Sequence, residues 1–141
     1  MTTDADPPEG SPEGMAHAFA AAWNAHDAEA IAALMAPDAR FVTAFGLVLR
    51  GREAIRAAHE GAFRRAYRAA SVTTLSVQTL RHGPDHALVA LDWRISGTTE
   101  AAGERGAFLF ALETGGAGDT DGAGGWRIAA AQNTARAVGR A

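Results

Sequence analysis

The sequence predicts an α+β domain, with helices in its first half and an antiparallel sheet in its second. Three observations carry this prediction. Up to about residue 67 the apolar residues recur mainly at helical spacing, whereas from residue 71 they alternate along four strand-length runs separated by turn residues. The strand–helix–strand alternation of a parallel sheet is missing, and no internal repeat is visible. The length, 141 residues, suits one domain of ordinary size.

The elements follow in order. Residues 1–14 (MTTDADPPEGSPEG) hold three of the five Pro and almost no apolar residue, so a disordered acidic tail is expected. Residues 15–24 read as a helix, because Met15, Ala18, Phe19, Ala22 and Trp23 share one face. Asp27 is a natural N-cap for a short second helix, Asp27–Met35, whose buried stripe is Ile31, Leu34 and Met35; Pro37 lies just beyond it. Residues 40–50 alternate as a strand, a turn near Gly46 and a second short strand. A longer helix over Arg52–Tyr67 presents Ile55, His59, Ala62, Phe63 and Ala66 on one face, with its charged residues mostly outside it. Strands are predicted at residues 71–81, 86–96, 104–113 and 125–134, with a turn at His82–Asp85 and a Gly-rich loop before residue 125. The folded domain is expected to span residues 15–137, with a tail at 138–141.

Composition bounds the function. There is no Cys, which excludes thiolate catalysis, disulfide scaffolds and Cys-ligated metal sites. No apolar run approaches the length of a membrane-spanning helix, and the N-terminus lacks a signal-peptide pattern, so a cytoplasmic protein is expected. The formal net charge is −3, and residues 1–14 account for −4 of it, which leaves +1 on the remainder. Such a body offers no electrostatic footprint for nucleic acid or an anionic membrane. All thirteen basic residues are Arg; they are scattered, as biased codon usage would leave them. Half of the apolar total is Ala, which buries little area, so large side chains are scarce and a second chain is expected to complete the burial. Ala87, Val89, Leu91, Trp93 and Ile95 share one strand face, yet Leu88 and Ala90 lie on the other; Ala107, Leu109 and Ala111 likewise oppose Phe108, Phe110 and Leu112. A homodimer through the outer sheet face follows as an expectation.

Three segments carry a family resemblance: AAWNAHDAEAI (residues 21–31) followed by MAPDARFV (35–42), LRGREAI (49–55) followed by His59 and Phe63, and WRIAAAQNT (126–134). With these the chain resembles the nuclear-transport-factor-two-like superfamily over about residues 15–137. The last segment is most similar to the SgcJ/EcaC branch, close to the SnoaL-like cyclases. The resemblance implies a cone: a curved antiparallel sheet wrapped around three helices, enclosing a mostly apolar pocket. Some members of the superfamily are cofactor-free enzymes, among them ketosteroid isomerase, polyketide cyclases, dehydratases and epoxide hydrolases; others only bind. The SgcJ branch is similar to small accessory proteins of enediyne polyketide biosynthesis.

The expected pocket is lined by Trp23, Phe41, His59, Phe63, Tyr67, Trp93 and Gln132, and its expected occupant is a hydrophobic, polyketide-like small molecule. His59, between Ile55 and Phe63 on an apolar helix face, is the candidate catalytic residue; it would serve as general acid or base, or as a hydrogen-bonding wall residue, and both readings stay open. Position 63 is Phe, so His59-Glu60 does not begin a zinc-protease motif. The bulk of Trp93 favours its face as the inner one, which puts Asp92 and Arg94 outside. Gln132 shares the parity of Trp126 and Ile128 and is expected to face the pocket, with Asn133 toward the interface. Phe19 and Trp23 stand where ketosteroid isomerase carries its oxyanion Tyr, so that chemistry is not recognisable here. Gly115–Gly125 does not satisfy G-x-G-x-x-G and joins two strands, so no nicotinamide cofactor is expected. His82, Asp85 and His86 surround a turn whose Gly-Pro-Asp explains it, and no metal is expected.

Overall fold

The computed structural model describes residues 10–98, 104–115 and 125–136; residues 1–9 of the expected N-terminal tail, the expected tail at 138–141 and most of the Gly-rich loop lie outside these, whereas residues 12–14 of the expected tail are helical. The elements are α1 (Pro12–Asn24), α2 (Ala28–Ala33), β1 (Met35–Val42), β2 (Val48–Arg50), α3 (Arg52–Arg64), β3 (Ser71–His82), β4 (His86–Ser96), β5 (Arg105–Thr114) and β6 (Trp126–Arg136). The strands form one sheet in the order β2-β1-β6-β5-β4-β3. All neighbours are antiparallel except β1 and β6, which run parallel, so the sheet is mixed where the sequence predicted a purely antiparallel one.

Helix α1 starts three residues earlier than expected. The Ser11 hydroxyl accepts the Gly14 N–H at 3.0 Å, and Pro12 occupies the first helical position, where its missing N–H costs nothing. Met15, Phe19 and Trp23 are buried along the predicted face. Asn24 then clips the helix end to β3: its Nδ2 donates to Val72 O at 2.9 Å and its Oδ1 accepts from Val72 N at 2.8 Å. His26 turns the chain with φ 54°, and its Nε2 lies 2.8 Å from Ala70 O. Asp27 caps α2 as predicted, its Oδ1 accepting from Ala30 N at 3.0 Å.

Helix α2 ends at Ala33, and Met35 belongs to β1, not to the helix. The cause is a long-range pairing: Met35 sits opposite Ile128, and the Ile128 N–H donates to Leu34 O at 2.8 Å. The β1 register slips between Met35 and Arg40, around Pro37, which has no N–H to give to a ladder. Helix α3 also ends early, at Arg64, and a turn through Tyr67 lets Ser71 pair with Ser96.

Along β4, Ala87, Val89, Leu91, Trp93 and Ile95 point inward, as the alternation predicted, and β5 adds Phe108, Phe110 and Leu112. Helix α1 crosses this inner face, with Phe19 4.9 Å from Phe108 and 5.2 Å from Phe110. Trp93 pairs in register with Gly106. A Cβ on Gly106 would run into the Trp93 indole and Thr134 O, so the missing side chain is what makes room for the ring.

Gly106→Ala is therefore expected to lower stability by about 1–3 kcal/mol, the usual cost of overpacking, and to change the Trp emission of the folded state. Urea unfolding followed by fluorescence measures both.

Candidate functional site

A cavity of about 430 Å³ opens between the inner sheet face, α1 and α3. Trp23 enters its wall from α1; Ala58, His59 and Ala62 from α3; Phe41 from β1; Trp93 and Ile95 from β4; Phe108 from β5; and Asn133 from β6. Tyr67 borders it beyond the end of α3. The turn between β1 and β2 forms its rim, where Phe45 and Leu47 are 83% and 64% exposed. Glu104, half-buried, also borders it.

His59 is the most buried polar group of the wall, 8% exposed. Its Nδ1–H donates to Ile55 O, one turn back on α3, at 2.8 Å. A carbonyl can only accept, so Nδ1 carries the proton and Nε2 keeps its lone pair. Phe41 and Phe19 stand edge-on to the imidazole at 5.0 and 6.2 Å. Burial among these rings pushes its pKa below the ordinary value, against a smaller opposing effect of the Ile55 hydrogen bond. The ring is thus a neutral hydrogen-bond acceptor, not a proton donor, at neutral pH.

The second polar feature joins two strands. Trp93 Nε1–H donates to Asn133 Oδ1 at 2.9 Å. Indole N–H can only donate, so the amide orientation is chemically determined: oxygen toward Trp93, Nδ2 turned away from it.

Five of the seven expected residues border the cavity: Trp23, Phe41, His59, Tyr67 and Trp93. Two do not. Phe63 is buried behind Trp23, 5.2 Å from its ring, and stacks on His26 at 4.8 Å. The cavity sees α3 slightly further round the helix, through Ala58 and Ala62. Gln132 is exposed on the outer face, and Asn133 takes the inward place. A register shift between β5 and β6 explains the reversal: Ala111 pairs with Ala130 but Leu112 with Ile128, so one extra residue flips the parity between Ile128 and Ala131. Nothing in the composition of WRIAAAQNT marks that bulge. Asp92 and Arg94 are exposed on the outer face, opposite to Trp93, as its bulk predicted.

A second, open cleft of about 490 Å³ lies between α2 and α3, bordered by Phe63 and by charged groups. Arg56 pairs there with Glu53 at 2.6 Å and with Glu60, and Arg64 pairs with Glu60 at 2.7 Å. Hydrogen bonds from Arg56 hold both carboxyls below the usual range. These charges satisfy one another in a solvated network. Among the described residues, no group of His, Asp and Glu is placed to hold a metal, and no helix is long and apolar enough to cross a membrane.

A mixed sheet covered on one face by helices, with an aromatic cavity between the layers, defines an α+β domain of the cystatin-like, nuclear-transport-factor-two-like class. The SnoaL-like domain family matches residues 16–131, and the chain belongs to it. Solved structures agree on the fold. A cystatin-like domain of unknown function from Nostoc punctiforme superposes with TM-score 0.73 at 25% identity, covering 86% of this chain and 73% of that one. An uncharacterised cystatin-like protein from Caulobacter vibrioides gives 0.74 at 19% identity, covering 89% and 87%. A nuclear-transport-factor-two-like protein from Novosphingobium aromaticivorans gives 0.72 at 17%, covering 92% and 81%. Among curated proteins, none matches the sequence.

The His59 shift has a consequence for stability. The unfolded chain, with an imidazole pKa of about 6.5, binds this proton more readily than the folded one. The contribution of neutral His59 is therefore fully present above about pH 6.5 and lost as pH falls toward the lower folded pKa. In His59→Phe this dependence disappears. Urea midpoints of the two proteins are expected to shift in favour of the variant as pH drops from about 7.5 to about 5; a constant difference would show that His59 is not held neutral.

Proposed function

We propose that this protein is a small-molecule-binding accessory protein of polyketide biosynthesis, in the manner of the SgcJ/EcaC branch and its enediyne systems, and that it holds a hydrophobic intermediate in the cavity. The carrying observation is an aromatic cavity of about 430 Å³ whose one deeply buried titratable group, among the described residues, is held neutral and bonded to a main-chain carbonyl rather than to a carboxylate. Aromatic walls favour flat or polyene ligands through area burial and ring contacts. Membership of the SnoaL-like family supports ligand binding or cofactor-free chemistry. The step to polyketides rests on the resemblance of residues 126–134.

A second reading is a cofactor-free cyclase, isomerase or dehydratase with His59 as proton acceptor. Nε2, unpartnered among the described residues, favours it. The missing carboxylate partner for Nδ1 weighs against it, because nothing stabilises the imidazolium that would form.

The oligomeric state belongs to the same proposal. On the outer face, Leu109 is 42% exposed amid Leu88, Ala90, Ala107 and Ala111, a patch of small apolar residues suited to close approach by a second copy. The two-fold packing of this face would complete the burial that the Ala-rich composition leaves short.

Two measurements test these statements. Linear polyenes and aromatic polyketide mimics should quench the emission of Trp23 and Trp93, with the ligand recovered unchanged by mass and chromatography. Conversion of the ligand, abolished in His59→Ala, would establish the enzyme reading instead. Sedimentation should give a dimer that Leu109→Glu converts to a monomer; an unchanged mass in the variant would remove the outer face as the interface.

A further inference from the structure

We infer that the cavity recognises its ligand at two points, through a carbonyl oxygen at Asn133 and a hydroxyl at His59, so that the ligand class is a hydroxylated aromatic or polyene ketone rather than a bare hydrocarbon. The inference rests on the cavity being a ligand site and adds the chemistry that site selects.

Trp93 Nε1–H occupies Asn133 Oδ1 at 2.9 Å. The amide therefore cannot offer its oxygen to a ligand without orphaning the indole N–H, and it presents Nδ2, a donor. Asn133 lines the cavity, and among the described residues no partner takes that Nδ2. Donors of this kind complement a carbonyl, which only accepts.

His59 presents the opposite polarity. Its Nδ1–H is spent on Ile55 O at 2.8 Å, and among the described residues no hydrogen-bond partner takes Nε2. No buried side-chain nitrogen or oxygen of the described residues lacks a partner, so Nε2, being without one, has access to the cavity. A lone pair set among Phe19, Phe41 and Phe63 complements a hydroxyl, which donates.

The two points are held apart by apolar rings. Phe41 lies 5.0 Å from His59, Phe108 lies 6.1 Å from Phe41, and Trp93 lies 6.4 Å from Phe108. A ligand that reaches both must carry its hydroxyl and carbonyl at opposite ends of a flat apolar body. Trp93 acts through Asn133 and is a positioning residue: it determines which face of the amide the ligand meets.

The test uses four probes on one naphthalene skeleton: 2-ethylnaphthalene, 2-acetylnaphthalene, 6-ethyl-2-naphthol and 6-acetyl-2-naphthol. Affinities are read by Trp quenching in the wild-type chain and in Asn133→Asp, His59→Phe and Trp93→Phe, each checked for a cooperative melt. The expected order places 6-acetyl-2-naphthol first, with the carbonyl and the hydroxyl each worth roughly three- to tenfold over 2-ethylnaphthalene. Asn133→Asp keeps the acceptor for Trp93 but replaces the inward donor by an acceptor. It should lose the acetyl increment alone. His59→Phe should lose the hydroxyl increment alone. Trp93→Phe frees the amide to rotate and should shrink the acetyl increment while 2-ethylnaphthalene binding changes little, a pattern that simple loss of packing does not produce. Four equal affinities, or increments untouched by the variants, overturn the two-point inference and leave ligand binding standing. No binding of any probe overturns both.

Discussion

The Phe19 ring, 4.9 Å from Phe108 and 5.2 Å from Phe110, is where helix α1 meets the middle of the sheet. The chain has few large side chains, because half of its apolar residues are Ala. Those few must be gathered on one surface for burial to exceed the entropy cost of folding. Six Phe and three Trp are present, and Phe19, Phe41, Phe63, Phe108 and Phe110, with all three Trp, are buried. Phe45 alone stays outside, on the turn at the rim of the cavity. Helix α1 is pinned against this surface, and its end is clipped to Val72 by Asn24.

The cavity is a product of the same scarcity. Helix α3 turns Ala58 and Ala62 toward the space between the layers, where larger residues would have filled it. Its larger residues, Ile55 and Phe63, pack elsewhere in the core, and His59 stands between the packed and the open regions. There burial outweighs the hydrogen bond to its own helix, and among the described residues no charged side chain acts on the imidazole to stabilise a proton. An alanine-lined gap bounded by aromatic rings thus acquires an acceptor at His59 and a donor at Asn133, with Thr43, Tyr67 and Glu104 also on its border.

Asn133 shows how local irregularity decides chemistry. The side-chain period of a strand is two residues, so one extra residue exchanges the faces beyond it. The bulge before Ala131 hides Gln132 from the cavity and admits Asn133, and the Trp93 indole then orients the amide. Gly106 allows this arrangement by leaving space for the indole on the neighbouring strand. Three residues on three strands are therefore coupled by sterics and one hydrogen bond.

The local sequence by itself determined the helix faces of α1 and α3 and the alternation of β4 and β5 by periodicity, the Asp27 cap by residue type and the inward direction of Trp93 by bulk, because each depends on residues only a few positions apart. The resemblance to a cone-shaped family, not periodicity, grouped Trp23, Phe41, His59 and Tyr67 around one pocket. The early start of α1 was local too, written in Ser11 and Pro12. Other features came only with tertiary structure. Met35 leaves its helix because Ile128 pairs with it from the far end of the chain. Phe63 turns away because Trp23 and His26 hold its ring. Gln132 and Asn133 exchange faces because the β5–β6 ladder slips. In each case the deciding partner lies distant in sequence, and a pattern read over neighbouring residues carries no information about where such a partner will be.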